Sequence, residues 1–268
     1  MYSCINGATT MPYSLEEDLT VAAQAGFKAV EIWSRKLDLY LDTHEVEELK
    51  SQLDLHNLKV ASLCPYSLIG FSDQAESLEM IVKAASVAAE ISCPILLVCA
   101  DSPPPNLDRG EAYRIMADVT RRYADLAADY GITIAIEPLG RHPFIPGPRE
   151  ALEVIERAGN SNLSLMIDTF HYYKSGITLQ EVEAIPVELI SIVHVNDSED
   201  LPLGELTDQN RLYMGDGVIP LKEIMKILKR KKYCGAISVE IFRQAYWQDN
   251  PLKIAQKSKA AYDKIVTD

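Results

Sequence analysis

The strongest constraint on the fold is an alternation of two hydrophobic periods along the chain. Eight short apolar runs, of a length typical of buried strands, are separated by longer stretches with apolar residues at helical spacing. We predict strands over 2–6, 29–33, 59–63, 95–100, 132–137, 163–168, 190–196 and 236–242. Because these runs lack polar alternation, both faces of each strand should be covered, as in parallel sheets.

The helical segments complete eight strand–helix units in strict alternation. Helices are predicted over 15–25, 44–56, 73–90, 111–130, 148–158, 178–184, 220–231 and 251–266. Eight such units fit a (β/α)8 TIM barrel, which typically needs ~250 residues. A doubly wound open sheet is the alternative, but it usually carries GxGxxG after its first strand, where this chain reads NGATTMPYS. We therefore predict a single TIM-barrel domain over 1–268.

Composition narrows the classes of function. The formal net charge is -13, and so acidic a surface repels phosphate backbones, which disfavours nucleic acid as a partner. No apolar run approaches the ~18 residues of a membrane span, and the opening MYSCINGATT is typical of a strand and turn, not of a leader. The five cysteines are scattered without a CxxC pair, which indicates reduced thiols in a cytoplasmic protein.

The last four predicted strands carry ionisable side chains at or near their C-terminal ends: Glu137, Asp168, His194 and Glu240. In TIM barrels these strand ends line the active site. Three carboxylates brought so close cannot all stay ionised without a cation. A single acid at a strand end is usually a cap or ion-pair residue, but four ionisable groups on consecutive strands indicate one divalent metal ion. Oxygen ligands with one imidazole suit Mn²⁺, Mg²⁺ or Co²⁺, and Zn²⁺ also fits.

Two loops are expected over the barrel mouth. The Pro-rich segment 101–110 follows the fourth strand, and the longest irregular segment, 197–219, follows the seventh. Loops this long are more often functional than idle. Gly215 and Gly217 precede the seventh predicted helix, whose N-terminus could accept a phosphate. Asp216 between them disfavours an anion, and we favour a neutral substrate.

Several motifs resemble a known family. AIEPLG, MIDTFHYY, HVND and SVEIF resemble the xylose isomerase-like barrels, a superfamily of sugar isomerases, epimerases and endonuclease IV-type enzymes. More narrowly, CINGATT, the block HVNDSEDLPLGELTDQNRLYMGDG and SVEIFRQAYW resemble the inosose isomerases of myo-inositol catabolism. The resemblance covers essentially the whole chain. It departs at 214–217, where the family often has Pro-Gly-x-Gly, and at Cys64-Pro65-Tyr66 after the third strand, which leaves the substrate identity open.

The resemblance implies roles for particular residues. The four residues at the strand ends would bind one divalent metal, with Glu137 and Glu240 also acting as acid/base groups. His171 and Arg211 would contact substrate oxygens, although a packed histidine and a solvated loop charge are the plain alternatives. The implied reaction is isomerisation or epimerisation of a keto-polyol or keto-sugar such as 2-keto-myo-inositol. It proceeds by proton abstraction next to the carbonyl, with the enediolate stabilised by the metal.

The second predicted strand contains two further candidate residues, Trp33 and Glu31, for which the family resemblance implies no role. Trp33 ends this strand, and an aromatic ring there would wall the pocket against a polyol ring or belong to the core. Glu31 alternates with apolar neighbours in AVEIW, which fits inward or outward placement, so contact with substrate hydroxyls stays open.

Rival functions remain on the same fold. Inosose dehydratase-type lyases and ketose 3-epimerases also begin with removal of a proton next to a carbonyl. Endonuclease IV-type nucleases need further histidines where this chain reads LCPYS, VCADS and QNRLY. A non-catalytic sugar-binding protein would tolerate loss of a metal ligand, yet all four are present. The expected partner is a small molecule, and a homo-oligomer stays open.

Overall fold

The computed structural model describes residues 1–266, and its centre is a barrel of parallel strands. The strands are β1 Tyr2–Asn6, β2 Ala29–Trp33, β3 Lys59–Leu68, β4 Ile95–Ala100, β5 Thr133–Glu137, β6 Leu163–Asp168, β7 Ile190–Val195, β8 Asp197–Ser198, β9 Arg211–Leu212 and β10 Ala236–Val239. The barrel closes in the order β1-β10-β7-β6-β5-β4-β3-β2, while β8 and β9 form a separate antiparallel pair. The predicted TIM barrel is confirmed.

The helices surround the barrel. They are α1 Leu15–Ala25, α2 Ser34–Leu41, α3 Val46–His56, α4 Ala75–Glu90, α5 Arg109–Ala128, α6 Pro148–Ala158, α7 Thr169–Lys174, α8 Leu179–Ala184, α9 Leu221–Arg230 and α10 Pro251–Val266. The predicted strict alternation is wrong at α2 and α7, which start directly at the ends of β2 and β6 and are too short to show a helical period. Among residues 1–266, none of the helices combines the length and apolar character that a bilayer span requires.

Strand β3 is longer than predicted. It was expected to end at residue 63 but continues to Leu68, so Cys64-Pro65-Tyr66 lies within the strand instead of after it. Proline normally disfavours a central strand because it cannot donate to the ladder. Here the register between β3 and β4 shifts between Leu63 and Tyr66, which accommodates the proline.

Two layers of apolar side chains build the core. The barrel interior holds one cluster, formed by Cys4, Ala29, Ala61, Cys64, Leu97, Met166, Ile192 and Ala236. A much larger cluster includes residues from both the strands and the surrounding helices, such as Leu19 of α1 and Ile81 of α4. Because side chains fill the interior, the barrel is a packed core and its functional groups gather at the C-terminal rim.

A buried ion pair secures the loop after β1. The Lys36 ammonium on α2 donates to Oδ2 of Asp18 on α1 at 2.6 Å and to the carbonyl oxygens of Gly7 and Thr10 at 2.9 Å. Asp18 Oδ1 accepts from the Thr10 hydroxyl at 2.6 Å. Both charged side chains are buried, at 6% and 8% exposure. The pair therefore ties α1, α2 and the rim segment Gly7–Thr10 together.

Replacing Lys36 with Met should destabilise the protein by about 3–5 kcal/mol, because an uncompensated carboxylate would stay buried. Urea unfolding measures this change. The matched control is Lys83→Met, which removes a pair with Asp38 whose side chains are 71% and 68% exposed. That variant should change stability by no more than about 1 kcal/mol. Equal changes in the free energy of unfolding for the two substitutions would show that the buried pair stabilises the fold no more than the exposed pair does.

Candidate metal centre and active site

Four ionisable side chains meet at the C-terminal rim, and we call them the ligand cluster: Glu137, Asp168, His194 and Glu240. One potential ligand atom from each lies within 4.8 Å of the others, and all four residues are buried. Glu137 ends β5 and Asp168 ends β6, while His194 lies in β7 and Glu240 directly follows β10. These four strands are consecutive in the barrel. The structure thus brings together all of the predicted metal ligands.

The imidazole of His194 has a nitrogen that suits a metal ion. Its Nδ1 lies 3.2 Å from Glu240 Oε2, 3.7 Å from Asp168 Oδ2 and 3.9 Å from Glu137 Oε1. This nitrogen is buried, and within residues 1–266 it makes no hydrogen bond. A buried polar atom without a partner is costly. Three carboxylates around one such nitrogen form the oxygen-rich donor set that divalent ions take, so the residues present fit a divalent metal.

The electrostatics of the ligand cluster favour a cation. Burial, and next the neighbouring Glu240 carboxylate, raises the pKa of Glu137 to about 8. Burial likewise raises the pKa of Glu240. Both shifts have the sign expected where carboxylates lose water and repel one another. A bound divalent ion reverses this local trend and favours ionised carboxylates.

Asp168 has two structural tasks, one for each carboxylate oxygen. Its Oδ1 accepts from the backbone N–H groups of Phe170 at 2.7 Å and His171 at 2.9 Å, and so caps the N-terminus of α7. Its Oδ2 points into the ligand cluster and accepts from Arg211 Nη1 at 2.7 Å. The cap explains why a short helix starts directly after a strand, and it also fixes the orientation of the carboxylate.

Residues that follow β1 and β7 hold the backbone around Glu240. The Thr9 hydroxyl donates to the carbonyl of Val239 at 2.9 Å and accepts from the N–H of Ile241 at 3.1 Å. The Asn196 side chain donates to the carbonyl of Glu240 at 3.0 Å. These bonds explain two of the motifs, because Thr9 belongs to CINGATT and Asn196 to HVND. Both position Glu240 without contacting its carboxylate.

Arg211 reaches the ligand cluster from the segment 197–219. The pairing of β8 with β9 places Arg211 opposite Ser198, so this predicted irregular loop contains a short hairpin. The guanidinium lies 3.1 Å from Glu240 Oε2. It also lies 4.7 Å from the ring centre of Phe170 and 5.4 Å from that of Phe242. Because the side chain is 1% exposed, the solvated-charge alternative is wrong.

His171 and Trp33 border the same cavity. His171 Nε2 lies 3.1 Å from Arg211 Nη2 and 3.8 Å from Glu137 Oε1. Burial lowers the pKa of His171 to about 4. The neutral ring can therefore accept a hydrogen bond from Arg211 at Nε2. Trp33 packs edge-on against Phe242 with 5.5 Å between the ring centres. The expected pocket placement of these side chains is therefore present, while their contacts with a substrate stay predictions.

The cavity over the ligand cluster measures about 410 Å³. Its lining also includes residues not singled out from the sequence: Cys99, Leu139, Lys174, Asp208 and Phe242. Cys99 donates its thiol to Glu137 Oε2 at 3.4 Å. A second groove of about 500 Å³ along α1 and α2 shares Trp33 but none of the ligand cluster. The cavity of about 410 Å³ is the better candidate for the active site, because Glu137, His194 and Glu240 line it.

Glu31 is a buried residue whose placement the sequence left open. It points inward, is 1% exposed and contacts Nε2 of His194 at 2.9 Å. It does not line the cavity of about 410 Å³, so the open possibility of direct contact with substrate hydroxyls finds no support. A useful signal was present in AVEIW, since an acid in the middle of a buried strand needs a buried partner.

The glycine turn at 215–217 does not offer an anion site. Asp197 accepts from the N–H groups of Gly215 at 3.0 Å and Ile219 at 2.8 Å. A Cβ atom on Gly217 would lie 2.1 Å from the Ser198 carbonyl oxygen, so only glycine fits there. Because the Asp197 carboxylate already accepts from these N–H groups, they are not available to a phosphate, which agrees with the preference for a neutral substrate.

Comparison with known proteins identifies the family. A family model described as xylose isomerase-like TIM barrel matches residues 19–265. The chain belongs to this family. This xylose isomerase-like chain is similar to a protein named inosose isomerase from Halalkalibacterium halodurans, with 32% identity over 99% of this chain and 95% of the relative. The predicted resemblance is thus confirmed.

Two further similarities bear on the xylose isomerase-like barrel. A crystal structure of the IOLI protein with a bound zinc atom gives a TM-score of 0.91 at 26% identity, covering 100% of this chain and 98% of that chain. A 3-dehydroshikimate dehydratase from Pseudomonas aeruginosa is 26% identical over 87% of this chain but only 37% of the relative. Proteins similar to this chain are therefore named for different reactions.

Proposed function

We propose that this chain is a divalent-metal-dependent isomerase or epimerase of a keto-polyol or keto-sugar, with 2-keto-myo-inositol as the leading substrate. The observation that carries the proposal is the ligand cluster, which places three carboxylates and one imidazole within 4.8 Å beneath a cavity of about 410 Å³. Near full-length similarity to a protein named inosose isomerase supports the choice of substrate.

The protein's own residues divide into ligands and proton carriers. The ligand cluster would hold one divalent ion, Mn²⁺, Mg²⁺, Co²⁺ or Zn²⁺, through its carboxylates and His194 Nδ1. When bound, such an ion supplies the Lewis acidity that polarises a carbonyl and stabilises charge on its oxygen. Glu137 and Glu240 stand at opposite ends of the four-strand arc. They therefore approach a substrate from different directions, one removing the carbon-bound proton and the other returning it.

Arg211 and His171 hold the substrate oxygens in this proposal. Arg211→Lys should lower kcat/KM by about 10–100-fold, because losing one hydrogen bond to a charged group costs ~1.5–3 kcal/mol and a point charge does not replace the planar guanidinium. Steady-state kinetics with saturating metal tests this, with Arg243→Lys as the control because Arg243 pairs with Glu199 outside the cavity lining. Equal kcat/KM in the two variants would remove Arg211 from the substrate site.

Proton NMR in D₂O with 2-keto-myo-inositol and the metal-loaded protein tests the reaction. We expect deuterium at the carbon next to the carbonyl together with a new ketone isomer. The absence of both exchange and a new isomer would reject this substrate, and other keto-sugars would then be assayed in the same way.

A dehydratase is the second candidate, favoured by the similarity to 3-dehydroshikimate dehydratase. Elimination starts with the same proton removal but needs an acid to protonate the departing hydroxyl. The same NMR experiment separates the two reactions. Exchange followed by loss of water and appearance of an unsaturated ketone would indicate the dehydratase instead of the isomerase.

A further inference from the structure

We propose that Glu31 is a positioning residue that fixes the tautomer of His194 and thereby sets the metal affinity of the ligand cluster. The inference rests on the proposed metal site but not on the identity of the substrate. Glu31 lies in the middle of β2 and contacts Nε2 of His194, whereas the three carboxylates of the cluster lie near Nδ1. It would act through the imidazole, without touching metal or substrate.

The surroundings of Glu31 show which atom carries the proton. Its Oε1 lies 2.9 Å and its Oε2 3.1 Å from His194 Nε2. Oε2 also accepts from the Ser62 hydroxyl at 2.5 Å, and Oε1 accepts from the Asn6 amide at 3.3 Å. A carboxylate surrounded by donors is an acceptor, so Nε2 of His194 must be the N–H donor.

This proton position frees the other ring nitrogen for a metal ion. A neutral imidazole protonated at Nε2 has its lone pair at Nδ1. Nδ1 is the buried nitrogen that faces the ligand cluster and makes no hydrogen bond within residues 1–266. Histidines that ligate metals commonly donate their second nitrogen to a carboxylate, which orients the ring and raises its basicity. The geometry of Glu31 satisfies this requirement.

A purely structural role explains Glu31 poorly. A fully buried carboxylate loses hydration at a cost of several kcal/mol unless good partners compensate. An apolar side chain on β2 would fill the same space without that cost. Asn6 and Ser62 compensate the charge, and Asn6 also accepts from Ala8 N at 2.8 Å, so the loop after β1 holds the donor in place. Asn6 from β1 and Ser62 from β3 therefore support the Glu31 carboxylate that contacts the His194 imidazole.

The test is metal affinity without substrate. Zn²⁺ and Mn²⁺ dissociation constants are measured by competition with a chromogenic chelator for the parent protein, Glu31→Gln and Glu150→Gln. Glu150 is a matched control because it is also buried but pairs with Arg149 on α6. We expect Glu31→Gln to weaken metal binding by about 10–100-fold, since the amide supports either tautomer. The control should match the parent protein.

A spectroscopic readout separates positioning from general damage to the fold. In the Co²⁺-loaded protein, the Nε2 proton of His194 should give a shifted, slowly exchanging NMR signal. In Glu31→Gln that signal should change position and exchange faster, because a neutral amide accepts a weaker hydrogen bond than a carboxylate. If that variant fails to fold, Glu31→Asp retains the charge but withdraws it from the imidazole, and the same change is expected. Parent-like affinity in a folded variant would overturn the proposal, as would a parent protein that binds neither metal. Metal binding without turnover of 2-keto-myo-inositol would overturn only the proposed substrate.

Discussion

Glu240→Gln is expected to lower kcat by about 10²–10⁴-fold, the usual contribution of a positioned acid/base group. The amide keeps the size of the side chain but cannot take up the proton. Glu240 lies 3.1 Å from Arg211 Nη1 and 3.2 Å from His194 Nδ1, so its carboxylate is held at the centre of the site. The fold should survive because the bonds from Thr9 and Asn196 reach the backbone around Glu240, which the substitution leaves unchanged.

The measurement combines steady-state kinetics at saturating metal with circular dichroism. Glu150→Gln again serves as the control, since it makes the same chemical change at another buried glutamate. Metal content is measured alongside, so that loss of a ligand is distinguished from loss of a base. A folded, metal-loaded Glu240→Gln protein with the kcat of the parent would remove Glu240 from the acid/base assignment.

Asp168→Ala is expected to abolish stable metal binding and, with it, turnover. The substitution removes one of three carboxylates and leaves Arg211 without its 2.7 Å partner. It also removes the cap of α7, which should cost a further ~1 kcal/mol of stability. Elemental analysis after dialysis measures the metal, and urea unfolding measures the stability.

Asp168→Asn separates the two tasks of this residue. Asparagine caps helices about as well as aspartate, so α7 should keep its start while the charge in the ligand cluster is lost. We expect metal loss in both variants but a smaller loss of stability in Asp168→Asn. Full metal occupancy in either variant would contradict the assignment of Asp168 as a ligand.

The barrel and the membership of the ligand cluster were readable from the sequence. Hydrophobic period is a local property, and strands covered on both faces record it as continuous apolar runs. Parallel strands share one C-terminal edge, so acids at the ends of consecutive strands must converge once the barrel closes. Glu137 and Asp168 could therefore be placed in one site without any tertiary information.

The short helix α7 and the extension of β3 were not predicted, because tertiary contacts stabilise them and the hydrophobic period does not mark them. Helix α7 covers only six residues and starts because Asp168 caps it. Strand β3 runs through Pro65 because the ladder shifts its register there. Neither a cap that doubles as a candidate ligand nor a shifted ladder leaves a period in the sequence.

The barrel and the four candidate ligands follow from local patterns in the sequence, whereas the residues around those ligands are brought there by contacts that form only in the folded protein. Arg211 enters the site because β8 pairs with β9 and folds the segment 197–219 back on itself. Glu31 lies inward because His194, Ser62 and Asn6, from three other strands, offer its charge the partners that burial demands. The hydrophobic period and the ends of the strands can be recognised from neighbouring residues in the sequence. The partners of a buried charge come together only after the barrel has closed.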